Sequence, residues 1–395
     1  MIPGARLSAA IALLDEIIAG EPAERALTRW ARGSRFAGSK DRAAIRDLVF
    51  DGLRRRRSLG WLGGADTGRA IILAAEVEKG SDIEELFTGE RFCPDPVGPD
   101  EMPKPTYALA SASTAIRLDV PDFLLPELEV SLGGDLEEIM QAMQSRAPVD
   151  LRVNTLKTGI KASTVVLARD GIYVEPLPDA PNALRVVENP RLVKNSRAYS
   201  QGMVELQDLS SQLASDFAGA EPGMTVLDYC AGGGGKSLSL ACSMHGEGRL
   251  MAWDAFPRRM TDLPARAGRA GATVEILTDK ERAALGPVCD LVFVDAPCSG
   301  TGAWRRKPGG RWLLTEERLA EFPPLQDSIL DAATAHVRPG GLICYATCSL
   351  LKCENEDRVK AFLARHPDWQ SEGDRRFSPL DGGDGFYAAR LRAPA

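Results

Sequence analysis

Two stretches of this 395-residue chain place a thiol just past a short apolar run. The first reads Leu291-Val292-Phe293-Val294-Asp295-Ala296-Pro297-Cys298-Ser299-Gly300, the second Leu342-Ile343-Cys344-Tyr345-Ala346-Thr347-Cys348-Ser349. Apolar runs of this length bounded by turn residues read as buried strands, so Asp295, Cys298 and Cys348 fall at strand ends. A lone cysteine is usually an inert small hydrophobe, and Cys242, Cys289, Cys344 and Cys353 are expected to be of that kind. Two cysteines and an acid at neighbouring strand ends of one crevice are hard to explain by packing. They suit covalent chemistry on a pyrimidine: carbon 5 of cytosine is a poor nucleophile until a thiolate adds to carbon 6 and turns the base into an enamine, which then takes a methyl group from a sulfonium donor. An acid near N3 assists, a base removes the carbon-5 proton, and a second thiol helps the first to leave.

A donor site is legible upstream. The strand-like Val226-Leu227-Asp228 runs into Tyr229-Cys230-Ala231-Gly232-Gly233-Gly234-Gly235-Lys236-Ser237 and a helical stretch. Glycines after a strand let a ligand approach the backbone closely, and a helix N-terminus offers free amides to a carboxylate or phosphate. The pattern is neither the spaced dinucleotide fingerprint nor a Walker loop, because the latter would need glycine where Cys230 stands. The next strand ends at Trp253-Asp254, where an acid grips the ribose hydroxyls in nucleotide folds. Alone, Asp254 reads as a solvated strand end; together with the loop it reads as part of an adenosine site.

These residues need a scaffold. From Met203 onward short apolar strands alternate with helices: a helix over Leu206 to Phe217, then strands at Thr225 to Asp228, Arg249 to Trp253, Val274 to Leu277, Leu291 to Asp295 and Leu342 to Ala346. That alternation predicts a mostly parallel α/β sheet covered on both faces, with its ligand crevice at the carboxyl ends of the strands. Before it, Leu151 to Lys157, a helix over Ser163 to Asp170, and strands near Ile172 and Leu184 to Val187 form a small α/β unit. The N-terminal part is helical, with Leu7, Ile11, Leu14 and Ile18 on one helix face and Ile45, Leu48, Val49 and Leu53 on another. Residues 89–106 are rich in Pro, Gly and acid and read as a linker or surface excursion. The expected division is 1–140 helical, 141–200 small α/β and 201–395 catalytic α/β.

The composition bounds the rest. A net charge of −7 argues at first against nucleic acid, but residues 1–69 carry 13 basic and 8 acidic side chains, whereas 70–140 carry 4 and 16. A polyanion could dock on the first segment and be kept off the second. No apolar run is long enough for a membrane span and no signal peptide is evident, so a cytoplasmic protein is expected. The eight cysteines lack the spacing of a disulfide framework, and no Cys or His pattern fits a metal site.

The chain resembles the RsmB/Nop2/Sun family of RNA 5-cytosine methyltransferases over nearly its whole length, nearest to the branch acting on bacterial 16S rRNA. The likeness rests on Asp295 to Gly302 as first cysteine motif and Tyr345 to Ser349 with Glu354-Asn355-Glu356 as second, on the loop Cys230 to Ser237, and on Asp384 to Tyr387 as terminal strand. It implies a Rossmann-like class I methyltransferase domain that binds S-adenosyl-L-methionine, preceded by an RRM-like subdomain and a NusB-like RNA-binding domain. By this resemblance Cys348 attacks carbon 6, Cys298 promotes release, Asp295 partners N3 and Lys236 joins the catalytic network. Cys230, Ala231, Gly232, Gly233, Gly234, Gly235, Lys236, Asp254, Arg259, Asp279 and Asp295 would surround the donor. The family loop usually reads Ala-Pro-Gly-Gly where this chain has Gly232 to Gly235, a looser loop for which weaker donor affinity is expected. Lys280-Glu281 beside Asp279 also departs from the pattern.

RNA contacts are expected from the run Arg54, Arg55, Arg56 and Arg57, from Arg152 and Asn154 in the small subdomain, and from Arg305, Arg306 and Lys307 followed by Arg311 and Trp312. The substrate is expected to be rRNA and the enzyme a monomer with no obligate protein partner. Alternatives are a tRNA methyltransferase of the same family, a DNA-type assignment in which Cys298 attacks, and a non-catalytic RNA-binding factor of ribosome assembly.

Overall fold

The structure, a computed structural model, describes residues 1–395 and divides by backbone contacts into two compact units, Met1–Arg146 with Ala303–Glu316 and Ala147–Gly302 with Glu317–Ala395. In the first unit, helices Pro3–Ile18, Ser39–Arg54 and Gly68–Glu78 bury one stripe each around Leu7, Leu14, Ile45, Val49, Leu53 and Ile71. Ile11, Ile18 and Leu48 lie at the margin of that core, half-buried, as their helical spacing from the buried residues requires.

The second unit holds two sheets. The smaller is antiparallel with the order β2-β3-β1-β4, from β1 (Val149–Val153), β2 (Tyr173–Leu177), β3 (Ala180–Glu188) and β4 (Val204–Leu206). Helix Ile160–Arg169 covers it over a core that includes Leu151, Val153, Leu167 and Val204. The helix expected from Leu206 begins instead at Leu209. Val204–Leu206 pairs with β1, and the Asp208 side chain then caps the helix by accepting the Ser210 amide at 2.9 Å.

The larger sheet runs β10-β11-β9-β8-β5-β6-β7, built from β5 (Thr225–Asp228), β6 (Arg249–Ala252), β7 (Glu275–Ile276), β8 (Cys289–Asp295), β9 (Val337–Thr347), β10 (Gln370–Phe377) and β11 (Phe386–Arg392). The five strands from β9 to β7 are parallel, and β11 and β10 complete the sheet antiparallel. Successive side chains go to opposite faces. Leu227, Val292, Val294, Ile343 and Tyr345 join one buried cluster, while Val226, Leu291, Phe293, Leu342 and Cys344 join another. Burial on both faces is why these strands read as continuous apolar runs. The carboxyl ends of β5, β6, β8 and β9 therefore share one edge, and each carries a loop with polar residues.

Candidate active site

The two cysteine loops converge. Cys298 lies three residues past β8 and Cys348 directly past β9, the parallel neighbour of β8, and their Sγ atoms are 3.4 Å apart. Gly302 fixes this approach by donating its amide to the Cys348 carbonyl at 3.0 Å, while its own carbonyl accepts the Gly385 amide at 2.9 Å. A Cβ at Gly302 would stand 1.9 Å from the Gly385 oxygen, so no side chain fits there. Glu354, fully buried, accepts from the Ser299 amide at 2.8 Å, from the Ser299 and Ser349 hydroxyls, and from Gln326 Nε2 at 3.1 Å. Asn355 holds the second loop by donating to the Ser349 carbonyl and accepting from Thr347.

Burial and neighbouring charges set the ionisation of the groups around the two loops. Lys236 donates to Asp295 Oδ2 at 2.6 Å. Burial works against its ammonium, but the Asp295 carboxylate and the charge of Cys348 outweigh this and hold the lysine above its usual range. The hydrogen bond to Cys348, together with burial, pushes the Cys298 thiol well above its ordinary value, so that sulfur keeps its proton. Cys230 is pushed up by burial and by the carboxylates of Asp295, Asp228 and Asp254, which leaves it inert. Cys289 and Cys344, buried within strands, are both raised to about 12 by the same loss of hydration.

The loop after β5 is shaped for close approach. Gly232 and Gly234 have φ of 49° and 79°, and a Cβ at Gly234 would lie 2.2 Å from Leu263 Cδ1. The loop ends in the N-terminus of helix Gly235–Ser243, inside which Ser237 donates to the buried Asp228 at 2.6 Å. Asp254, at the end of β6, accepts the Gly232 amide and the Phe256 amide, each at 2.9 Å, and pairs with the half-exposed Arg259 at 3.2 Å. Asp279 accepts the Trp253 indole N–H at 2.8 Å, and Arg282 lies over that indole at 4.6 Å. A glycine cradle, an acid at the second strand end and an aromatic platform fit an adenosine-bearing donor such as S-adenosyl-L-methionine. No group of three or more His, Cys, Asp or Glu side chains is placed to hold a metal ion.

The basic residues chosen from sequence fare differently. Arg54 and Arg305 are buried, the Arg54 guanidinium donating to the Arg305 carbonyl at 2.8 Å, so neither presents its charge to a phosphate. Arg311 is also interior, donating to the carbonyls of Arg54 and Asp119 and lying over Trp304 at 4.6 Å, and Trp312 donates to the Leu53 carbonyl. Arg55, Arg56 and Arg57 are ion-paired with Glu78, Asp66 and Asp122. Arg306 is half-buried and Lys307 exposed. Arg152 and Asn154 are interior too: Asn154 donates to the carbonyls of Gly202 and Ala270, and Arg152 to Gln207 and Cys242. Their strand is polar in sequence because it ties elements together, not because it faces solvent.

Sequence reasoning missed a basic groove of about 690 Å³ on the helical unit, lined by Arg32, Arg35, Arg42 and Arg46 around Leu27 and Trp30. Phe36, 75% exposed, stands out on the adjoining turn, and Lys40 is exposed at the start of helix Ser39–Arg54. Only the excess of base over acid in residues 1–69 pointed to it.

The 16S rRNA methyltransferase RsmB/F family matches residues 219–392, and the ferredoxin-like domain of RsmF/B-like methyltransferases matches residues 120–193. Ribosomal RNA small subunit methyltransferase B of Vibrio cholerae is 34% identical over 295 residues, covering 72% of this chain and 68% of that protein. The chain belongs to the RsmB/F family. The corresponding protein of Photorhabdus laumondii is 32% identical over 283 residues, a match that spans 69% of this chain and 66% of that relative. Among solved structures, PH0851 superposes with a TM-score of 0.77 at 24% identity and covers 99% of both chains. NSun6 from Pyrococcus horikoshii superposes with a TM-score of 0.62 at 18% identity over 70% of this chain and 99% of that one. The α/β fold of this RsmB/F member is that of a Rossmann-like methyltransferase, whose cofactor is S-adenosyl-L-methionine. No helix of the chain is long and apolar enough to cross a membrane.

Proposed function

We propose that this chain methylates carbon 5 of a cytosine in 16S rRNA, with Cys348 as nucleophile and Cys298 as the thiol that aids release. The observation that carries the reading is the pair of sulfurs 3.4 Å apart at adjacent parallel strand ends, with Lys236 and Asp295 beside them. In the proposed sequence the Cys348 thiolate, favoured by the Lys236 ammonium, bonds to carbon 6 while Asp295 engages N3. S-adenosyl-L-methionine supplies a methyl group to carbon 5 when bound. A base then removes the carbon-5 proton, the electrons of that C–H bond restore the ring double bond, and Cys348 departs with a proton available from the neighbouring Cys298 thiol. The base must leave its stack to meet the sulfur. Asp254 and the Gly232 to Gly235 loop would bind the donor, with Arg259 and Asp279 at its rim.

The proposed organisation keeps a NusB-like helical domain, an RRM-like subdomain and the catalytic domain, and moves the RNA contact from Arg54 to the groove of Arg32, Arg35, Arg42 and Arg46. Four guanidinium groups, of which Arg46 is paired with Glu24, beside the half-buried Trp30 and the exposed Phe36 suit phosphates and unstacked bases. The test is a pair of variants incubated with donor and rRNA. Cys298→Ala should accumulate a protein–RNA adduct that survives denaturing gels, and Cys348→Ala should form none. A Cys348→Ala enzyme that still methylates, with Cys298→Ala dead and adduct-free, would reverse the assignment. Bisulfite sequencing of a deletion strain identifies the RNA: loss of a single 16S cytosine signal supports the reading, and loss confined to tRNA moves the activity to the tRNA alternative.

A further inference from the structure

Four consecutive glycines make a donor loop that should be loose, because glycine loses more conformational freedom on ordering than any other residue. In this fold the loop is nevertheless gripped at a specific atom. Arg266, on helix Leu263–Ala270, donates from Nη1 to the carbonyl of Gly233, the position at which the resembling loops carry proline. The other arm of the same guanidinium, Nη2, donates to Glu205 Oε2 at 3.0 Å. Glu205 lies on β4 of the small sheet, is 2% exposed, and takes Arg269 on its second oxygen. The helix bearing both arginines is itself moored to the small sheet and its loops: Lys157 Nζ donates to the Arg269 carbonyl at 2.6 Å and Asn154 Nδ2 to the Ala270 carbonyl at 2.7 Å. On the opposite side the Gly232 amide is held by Asp254.

We propose that Arg266, anchored on the buried Glu205, is a positioning residue for methyl-donor binding, a guanidinium brace that gives the tetraglycine loop the fixed shape its sequence alone does not provide. This makes the small subdomain part of the donor site although none of its residues needs to touch the donor. The inference rests on reading the loop as the S-adenosyl-L-methionine site. A planar guanidinium spans a carboxylate and a carbonyl at once, which the single ammonium of lysine does not do. Arg266→Lys therefore keeps a positive charge against Glu205 while releasing Gly233.

The test uses the full chain, with calorimetric titration of S-adenosyl-L-methionine and hydrogen exchange of the amides of residues 232–236 in the free protein. Both Arg266→Ala and Arg266→Lys should weaken donor binding at least fivefold and speed loop exchange about tenfold, and should raise KM for the donor with kcat little changed. Arg266→Lys should keep the parent melting temperature, so its loss of affinity is separable from misfolding. Unchanged Kd and unchanged loop exchange in both variants would overturn the brace. If the unsubstituted chain binds no donor, the reading of the loop itself falls instead.

Discussion

Glu354 accepts both the amide and the hydroxyl of Ser299, so a side chain that follows β9 holds the loop that follows β8. Since Ser299 adjoins Cys298 and the same carboxylate also takes the Ser349 hydroxyl next to Cys348, one acid sets the distance between the two sulfurs.

Replacing Glu354 by alanine should remove the acceptor shared by the Ser299 amide, the Ser299 and Ser349 hydroxyls and Gln326 Nε2, of which Gln326 keeps the Pro297 carbonyl. A stability loss of roughly 2–4 kcal/mol is expected from such a network. Calorimetric melting measures that cost. The functional signature is a fall in kcat of at least a hundredfold with donor Kd within a factor of two, because the donor loop lies after β5 and does not touch Glu354.

Gly302→Ala tests the crossing of backbones beneath the cysteines. The added methyl cannot share space with the Gly385 carbonyl, and the cheapest relief is to lift the loop that carries Cys298. Adduct formation with RNA should drop more than tenfold, while titration with S-adenosyl-L-methionine stays unchanged.

Asp228 gives a pH signature. Burial raises its carboxyl to about 7, with the Ser237 hydrogen bond opposing the shift. The folded chain therefore keeps a proton that the unfolded chain loses near pH 4, and stability should fall as pH rises from about 4 to about 7, then level off. Asp228→Asn removes this ionisation. Its melting temperature should exceed the parent's by several degrees at pH 8 and by little at pH 5, and a variant showing equal differences at the two pH values would contradict the assignment.

Charge reversal in the helical unit separates docking from architecture. Arg32→Glu combined with Arg35→Glu should weaken rRNA binding at least tenfold and flatten its dependence on salt concentration, since each phosphate contact contributes to that slope. Arg54→Ala should instead lower the melting temperature, because its guanidinium is interior and satisfies the Arg305 carbonyl.

The strand-end edge where the two cysteines meet was legible in the sequence because buried parallel strands write themselves as apolar runs, and the residue after each run is where chemistry can sit. Cys298, Cys348, Asp295 and Lys236 come together as that reading requires. The pairing of basic side chains was not legible. Whether Arg54 meets solvent depends on a chain segment 251 positions away, where it satisfies the Arg305 carbonyl. Arg152 and Asn154 misled for the same reason, being polar residues whose partners are backbone groups and side chains remote in sequence. The brace on Gly233 was equally hidden, since nothing local links Arg266 to Glu205. The early start of β9 at Val337 escaped notice because Pro339, Gly340 and Gly341 disguise a strand as a turn.

The position of β11 has a consequence for biosynthesis. It lies between β9 and β10, so β9, which leads into Cys348, has only β8 beside it until the chain through Arg392 has been made. Until β11 is in place the β9 edge that faces it stays unpaired, an open strand edge beside the loop that carries Cys348.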